Sequence, residues 1–203
     1  TAVTGGILLA KVFEEAGLPK GVFNVVVPKL EEIGDAFVEH PIPRLISFTG
    51  STSAGRHIGE ICGRNIKKVA LELGGNNPLV VLGDANVESA VNSALCGKFM
   101  HNGQICMAIN RIIVHKNLYE EFVEKFVEKT KKIKVGDPSK KDNLIGPLIN
   151  RKAIDRILEQ IELAKNQGAE VVLEGKVEGN VMYPYILTGS NEVATAQNEM
   201  FGP

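Results

Sequence analysis

Surplus charge is the first thing this sequence lacks. Its 203 residues carry 23 Lys and Arg against 24 Asp and Glu, a formal net charge of -1. No electrostatic argument therefore favours nucleic acid or an anionic membrane surface as a partner. Paired cysteines are lacking too. Cys62, Cys96 and Cys106 are an odd number without metal-like spacing, so neither a disulfide framework nor a metal centre is indicated. That usage fits a reducing compartment, and the expected location is cytoplasmic. No apolar run reaches the length of a transmembrane helix, and no charged leader of the signal-peptide kind opens the sequence. Internal repeats, low-complexity tracts and Gly/Ser tethers are also missing. The sequence begins at Thr1 and stops at Phe201-Gly202-Pro203, and the expectation is a piece cut from a larger protein. What remains, 44% hydrophobic and 23% charged, is an ordinary globular composition able to bury a core and suited to small or dinucleotide ligands.

In the first third, strand-like and helix-like stretches alternate. Val3, Ile7, Leu8, Val12 and Phe13 recur at helical spacing, and Gly17-Leu18-Pro19 stops that helix. The β-branched run 22–27 predicts a buried parallel strand closed by Pro28, and a helix is expected over 30–39. After His40-Pro41-Ile42-Pro43, the apolar run 44–48 predicts a strand that feeds Thr49-Gly50-Ser51-Thr52-Ser53-Ala54-Gly55 and a helix over 53–63. A further strand is expected over 67–73, ending in Gly74-Gly75. Such alternation with short connections argues for a parallel sheet covered by helices. Further on, strands are expected at 77–82, 111–115, 169–173 and 183–187, with Pro184 making the last an edge or bulge. Helices are expected at 84–99, 118–132 and 152–166, the later two amphipathic. The expected boundary is a hinge near Gly74-Gly75.

Three groups of residues could carry chemistry. Cys106, in His101-Asn102-Gly103-Gln104-Ile105-Cys106-Met107, follows an apolar helix and a glycine that lets the backbone pass close to a ligand. A thiolate there would be a strong nucleophile, whereas an inert core thiol is the plainer reading of the spacing alone. Gly50-Ser51 at the start of a helix presents free backbone N–H groups and the positive end of the helix dipole to a phosphate, or is simply an N-cap. Glu72 sits at the carboxyl end of an expected strand, where open α/β sheets place ligands. Burial there would raise its pKa towards that of a general base; the other reading is a strand-end carboxylate facing solvent. His101 could serve Cys106 as a base, while His40, His57 and His115 read as surface or packing residues, and Cys62 and Cys96 as core thiols.

Taken in order, Phe48-Thr49-Gly50-Ser51-Thr52, Leu71-Glu72-Leu73-Gly74-Gly75-Asn76, Gly103-Gln104-Ile105-Cys106 and Glu199-Met200-Phe201-Gly202-Pro203 closely resemble the NAD(P)-dependent aldehyde dehydrogenase superfamily, across the whole chain from Thr1 to Pro203. The stretch Gln104-Ile105-Cys106-Met107-Ala108-Ile109-Asn110-Arg111 is similar to members that act on aromatic aldehydes such as benzaldehyde or vanillin. The resemblance implies an α/β fold: residues 1–73 as the C-terminal half of a Rossmann-like cofactor domain, and 74–203 as a truncated α/β catalytic domain. It implies Cys106 as the nucleophile that passes through a thiohemiacetal and a thioester, its N–H as part of an oxyanion hole, and Glu72 as the base that activates water. The cofactor, NAD or NADP, would be contacted by Gly50 and Ser51 at its pyrophosphate, by Glu199 and Phe201 at the nicotinamide end, and by Leu73 and Gly74. The substrate would be a small aldehyde, and the full-length parent a homo-oligomer.

The sequence also departs from the family pattern. It lacks the N-terminal segment with the oxyanion asparagine and the lysine and acidic residue that grip the adenosine ribose, and it lacks the oligomerisation strand after Pro203. Losing one oxyanion donor costs about a hundredfold in rate, so the isolated chain is expected to be an impaired dehydrogenase. Two alternatives stand beside this reading: a cofactor-independent thiol esterase or acyltransferase using Cys106, and a non-catalytic binding chain. The second has no need of Cys106, Glu72 and Glu199 together.

Overall fold

A computed structural model describes residues 3–203 as a mixed α/β chain. The chain forms two compact units divided between Glu72 and Leu73.

In the first unit, α1 (Val3–Glu15) ends where Gly17 takes a φ of +84°, and Leu18 N–H bonds back to Phe13 O. The run 22–27 is not the buried strand its composition suggests. Val22 and Val26 are 66% and 73% exposed, and no described strand runs beside them to take their backbone hydrogen bonds. Phe23 packs its ring on Phe13 instead, with centroids 5.0 Å apart. The helix expected over 30–39 is two single turns, α2 (Leu30–Ile33) and α3 (Ala36–Glu39), broken where Gly34 has a φ of +46°. Lys67 Nζ donates to the carbonyls of Val38 and His40 and fastens the end of α3.

The part that positions chemistry is β1 (Leu45–Thr49), α4 (Thr52–Arg64) and β2 (Lys68–Glu72). The two strands are parallel, from Leu45 opposite Lys68 to Thr49 opposite Glu72, and α4 is the crossover between them. A small core of Val38, Ile46, Ile61 and Cys62 holds α4 down.

The second unit repeats the strand–helix–strand scheme with β3 (Asn77–Val81), α5 (Val87–Phe99) and β4 (Ile109–Val114), again a parallel pair. Asn86 caps α5 by accepting Ser89 N–H at 2.9 Å. α6 (Tyr119–Lys131) places Phe122 and Phe126 one turn apart, and Phe126 stacks on both Phe122 and Phe99 in a core that includes Val81, Val91, Ala94 and Ile145. α7 (Arg151–Asn166) buries Ile154, Ile157, Ile161 and Ala164 along one stripe. β5 (Glu170–Leu173) pairs antiparallel with β8 (Ile186–Thr188), which begins two residues after Pro184, with a register shift between Val171 and Leu173. Between them lies a hairpin the sequence did not announce, β6 (Val177–Glu178) and β7 (Val181–Met182), turning at Gly179 with a φ of +61°. A single helical turn, α8 (Ala194–Gln197), precedes Glu199. Among the described residues no helix is long and apolar enough to cross a membrane.

Candidate active site

Helix α5 ends at Phe99, and the turn that follows it, Met100–Gly103, reverses the chain through three consecutive left-handed residues. His101, Asn102 and Gly103 have φ of 53°, 59° and 69°. Non-glycine residues persist there only when neighbours hold them, and Asn102 is held on both sides. Its Oδ1 accepts Gly146 N–H at 2.8 Å and its Nδ2 donates to Pro147 O at 3.2 Å. Gln104 Oε1 accepts Ile149 N–H at 2.9 Å. The loop before Cys106 is thereby bolted to residues 146–149. Cys106 follows in a turn closed by Ala108 N–H to Ile105 O at 2.9 Å. It is exposed and free, not a core thiol, and His101 makes no hydrogen bond to it. Asn77 Nδ2 donates to Cys106 O at 2.7 Å and to Ala108 O at 3.2 Å.

Glu199 meets the same strip of chain that meets Cys106. Its Oε1 accepts Gly75 N–H at 3.1 Å, and a Cβ on Gly74 would stand 2.1 Å from its Oε2. Only glycine lets the carboxylate come so close. Arg156 spans the backbone beyond, donating from Nη1 to Glu199 O at 3.0 Å and from Nη2 to Met200 O at 2.6 Å. Phe201 follows, 39% exposed with a φ of +54°. Gly75, Gly103, Ile105, Ala108, Glu199 and Phe201 all line one narrow cleft. Three separated stretches, 73–77, 101–108 and 199–203, thus converge in the second unit.

In the first unit, Ser51 caps α4 by accepting Ala54 N–H at 3.3 Å. The first-turn N–H groups of Thr52 and Ser53 have no helical acceptor, and both residues are exposed. Phe48 folds its ring over Gly50, where a Cβ would lie 2.5 Å from the ring edge. The exposed helix start, with the N–H groups of Thr52 and Ser53, is what this turn offers to an anion, since the Gly50 backbone is covered by the Phe48 ring. Gly50 N–H donates to Glu72 O at 3.0 Å, so the two predicted residues are neighbours through the backbone. The Glu72 side chain is exposed at the end of β2, the solvent-facing alternative of the two expected.

The sequence pattern of the aldehyde dehydrogenase family matches residues 1–203. The chain belongs to the aldehyde dehydrogenase family. It is 56% identical over its whole length to the AldY protein of Bacillus subtilis and 50% identical to a vanillin dehydrogenase of Corynebacterium glutamicum. It superposes with a TM-score of 0.94, at 50% identity, on an NAD-dependent benzaldehyde dehydrogenase structure from Corynebacterium glutamicum, covering 100% of this chain and 45% of that one. The chain spans 42% and 43% of the lengths of those first two relatives. An aldehyde dehydrogenase resemblance read from four short motifs is thus upheld over the full chain, as is the α/β class.

Several residues that shape this site had no evident signature. Asn77, Asn102 and Arg156 act on backbone carbonyls or amides 29 to 45 residues away. The one available signal was the Asn77-Pro78 step at a strand start. Asn110 Nδ2 similarly ties Asn76 Oδ1, at 2.6 Å, to Thr195 O, at 2.9 Å. Lys98, on α5 behind the cleft, also lines a cavity of about 390 Å³ with Arg111, Tyr185 and Asn191 that Cys106 does not reach. Burial pushes its ammonium down to about 8.

Proposed function

We propose that this chain carries the nucleophile, the base and part of the cofactor site of an NAD(P)+-dependent aldehyde dehydrogenase. On this reading residues 1–73 belong to the cofactor domain and 74–203 to the catalytic domain. The observation that carries it is the convergence of Cys106 and Glu199 on Gly74–Asn77, with the thiol exposed and its backbone pinned.

The Cys106 thiolate attacks the aldehyde carbonyl, and its own N–H is one donor to the developing oxyanion. Bound nicotinamide supplies the hydride acceptor. Glu199 and Phe201, on a backbone fixed by Arg156, would hold that end of the cofactor, and Gly50, Ser51 and the start of α4 would be the contacts for its pyrophosphate. Leu73 and Gly74 complete the contact. Glu72, open to water at the end of β2, activates the water that hydrolyses the thioester.

The substrate is a small aldehyde. Aromatic aldehydes are favoured because relatives at about 50% identity are named for vanillin and benzaldehyde. The reading includes a homo-oligomeric parent, as the family resemblance implies, and a cytoplasmic, reducing location, argued from the odd cysteine count of the sequence. The test is intact-mass analysis after incubation with benzaldehyde and NAD, beside Cys106→Ala and a sample without cofactor. An acyl adduct that needs both Cys106 and NAD supports the reading. If no adduct forms while iodoacetamide still alkylates Cys106, the chain does not assemble a dehydrogenase site by itself.

A further inference from the structure

The turn that carries Cys106 has one internal hydrogen bond, and both Cys106 and Met107 are exposed. A surface turn with so little of its own to fix it is soft, whereas attack on a carbonyl requires sulfur and N–H donor to be held to a fraction of an ångström. The rigidity has to come from outside the turn, and Asn77 supplies it.

An amide NH2 has two hydrogens, and those of Asn77 are both engaged, on Cys106 O at 2.7 Å and Ala108 O at 3.2 Å. Because both partners are carbonyl oxygens, only the nitrogen of the amide can face them. The clamp is itself rigid: Pro78 confines Asn77 to an extended backbone, and Asn77 opens β3 opposite Ile109, three residues after Cys106. Gly75 guards the other side, where a Cβ would stand 3.2 Å from the same Cys106 oxygen. Holding that oxygen fixes the plane of the peptide after Cys106, and with it the attitude of the residue that bears both Sγ and the N–H.

We propose that Asn77 is a positioning residue for Cys106, setting the N–H and Sγ of the nucleophile for attack on a carbonyl. The proposal rests on the reading of Cys106 as nucleophile and oxyanion donor. Two reactions of one thiol separate the effects. With p-nitrophenyl acetate, thiolate sulfur bonds to the carbonyl carbon through an oxyanion, the C–O bond breaks, p-nitrophenolate leaves and a thioester remains. With iodoacetamide, sulfur displaces iodide with no oxyanion at all.

Asn77→Asp keeps the shape but turns a carboxylate oxygen towards the two carbonyls; Asn77→Ala removes the clamp. In both variants of the 203-residue chain, acylation should slow by about ten- to a hundredfold, while alkylation by iodoacetamide stays within about threefold because it needs no oxyanion donor. An unchanged ratio of the two rates in either folded variant overturns the proposal. Failure of both variants to fold, judged by circular dichroism, also overturns it, because Asn77 would then be a residue of the fold. Cys106→Ala distinguishes the underlying reading: if it is acylated as fast as the parent chain, Cys106 is not the nucleophile and the fault lies there.

Discussion

Gly103 lies against the carbonyl of Gly202, so closely that a Cβ at position 103 would stand 2.4 Å from that oxygen. This contact joins the loop before Cys106 to the Glu199–Pro203 motif. Gly103 also has a φ of +69°, so a side chain there would meet a strained backbone as well as occupied space.

Gly103→Ala should therefore be costly. The left-handed backbone alone accounts for about 1 kcal/mol, and displacement of the Gly202 peptide adds to it, for a total of about 2–4 kcal/mol. Urea denaturation of the second unit measures this. Ester acylation of Cys106 should fall with it, because the loop that carries the thiol can no longer seat against residues 199–203. A variant of parental stability would show that the contact is not needed.

Glu72→Gln removes a carboxylate that is exposed and tied to the fold only through its backbone. Stability should change by less than about 0.5 kcal/mol, as for an ordinary surface position. The acyl-enzyme should behave differently: without the base, deacylation slows by about a hundredfold and the thioester on Cys106 accumulates to a level visible by intact mass. Normal turnover of that adduct in the variant would remove Glu72 from the role of base.

Lys98 gives the chain a pH dependence whose sign can be worked out. Burial lowers its folded pKa from 10.5 to about 8, so the fold disfavours the ammonium. Below pH 8 the side chain is protonated in both states and the whole cost is present. Between pH 8 and 10.5 the folded chain has given up a proton that the unfolded chain keeps, and stability rises with pH. Lys98→Met should remove that rise. It should stabilise the chain at pH 7 by up to about 3 kcal/mol, an upper bound because the residue is only half-buried. Urea midpoints at pH 7 and pH 10 for both proteins test this; equal differences at the two values would refute it.

Much of what positions the chemistry was legible in the sequence because it depends on near neighbours. The strand, small-residue turn and helix at Leu45–Arg64 follow from an apolar run, a Ser N-cap and helical periodicity, all within twenty residues. The same holds for α6 and α7, whose apolar stripes are written at the spacing of the helix. The run 22–27 misled because β-branched residues report a preference for a pleated surface and cannot say whether a neighbouring strand exists. Gly34 split an expected helix through backbone freedom that the surrounding pattern outweighed on paper. Asn77, Asn102 and Arg156 stayed hidden for a different reason. Each recognises backbone, which looks alike at every position, so nothing in the partner's sequence marks the pairing.

Gly74 and Gly75 sit side by side, and each is kept bare by a different partner: Glu199 at the first and the Cys106 carbonyl at the second. A codon-by-codon survey of this chain would therefore meet two adjacent positions at which any side chain makes a neighbour move, although neither has the positive φ that usually explains such a demand. The barrier is one of occupied space, and it has two owners. Enlarging position 74 would first displace Glu199, the proposed cofactor contact, whereas enlarging position 75 would first press on the Cys106 turn. Neighbouring letters of the sequence would thus fail in distinguishable ways, one by loss of cofactor-dependent reaction and the other by loss of acylation itself.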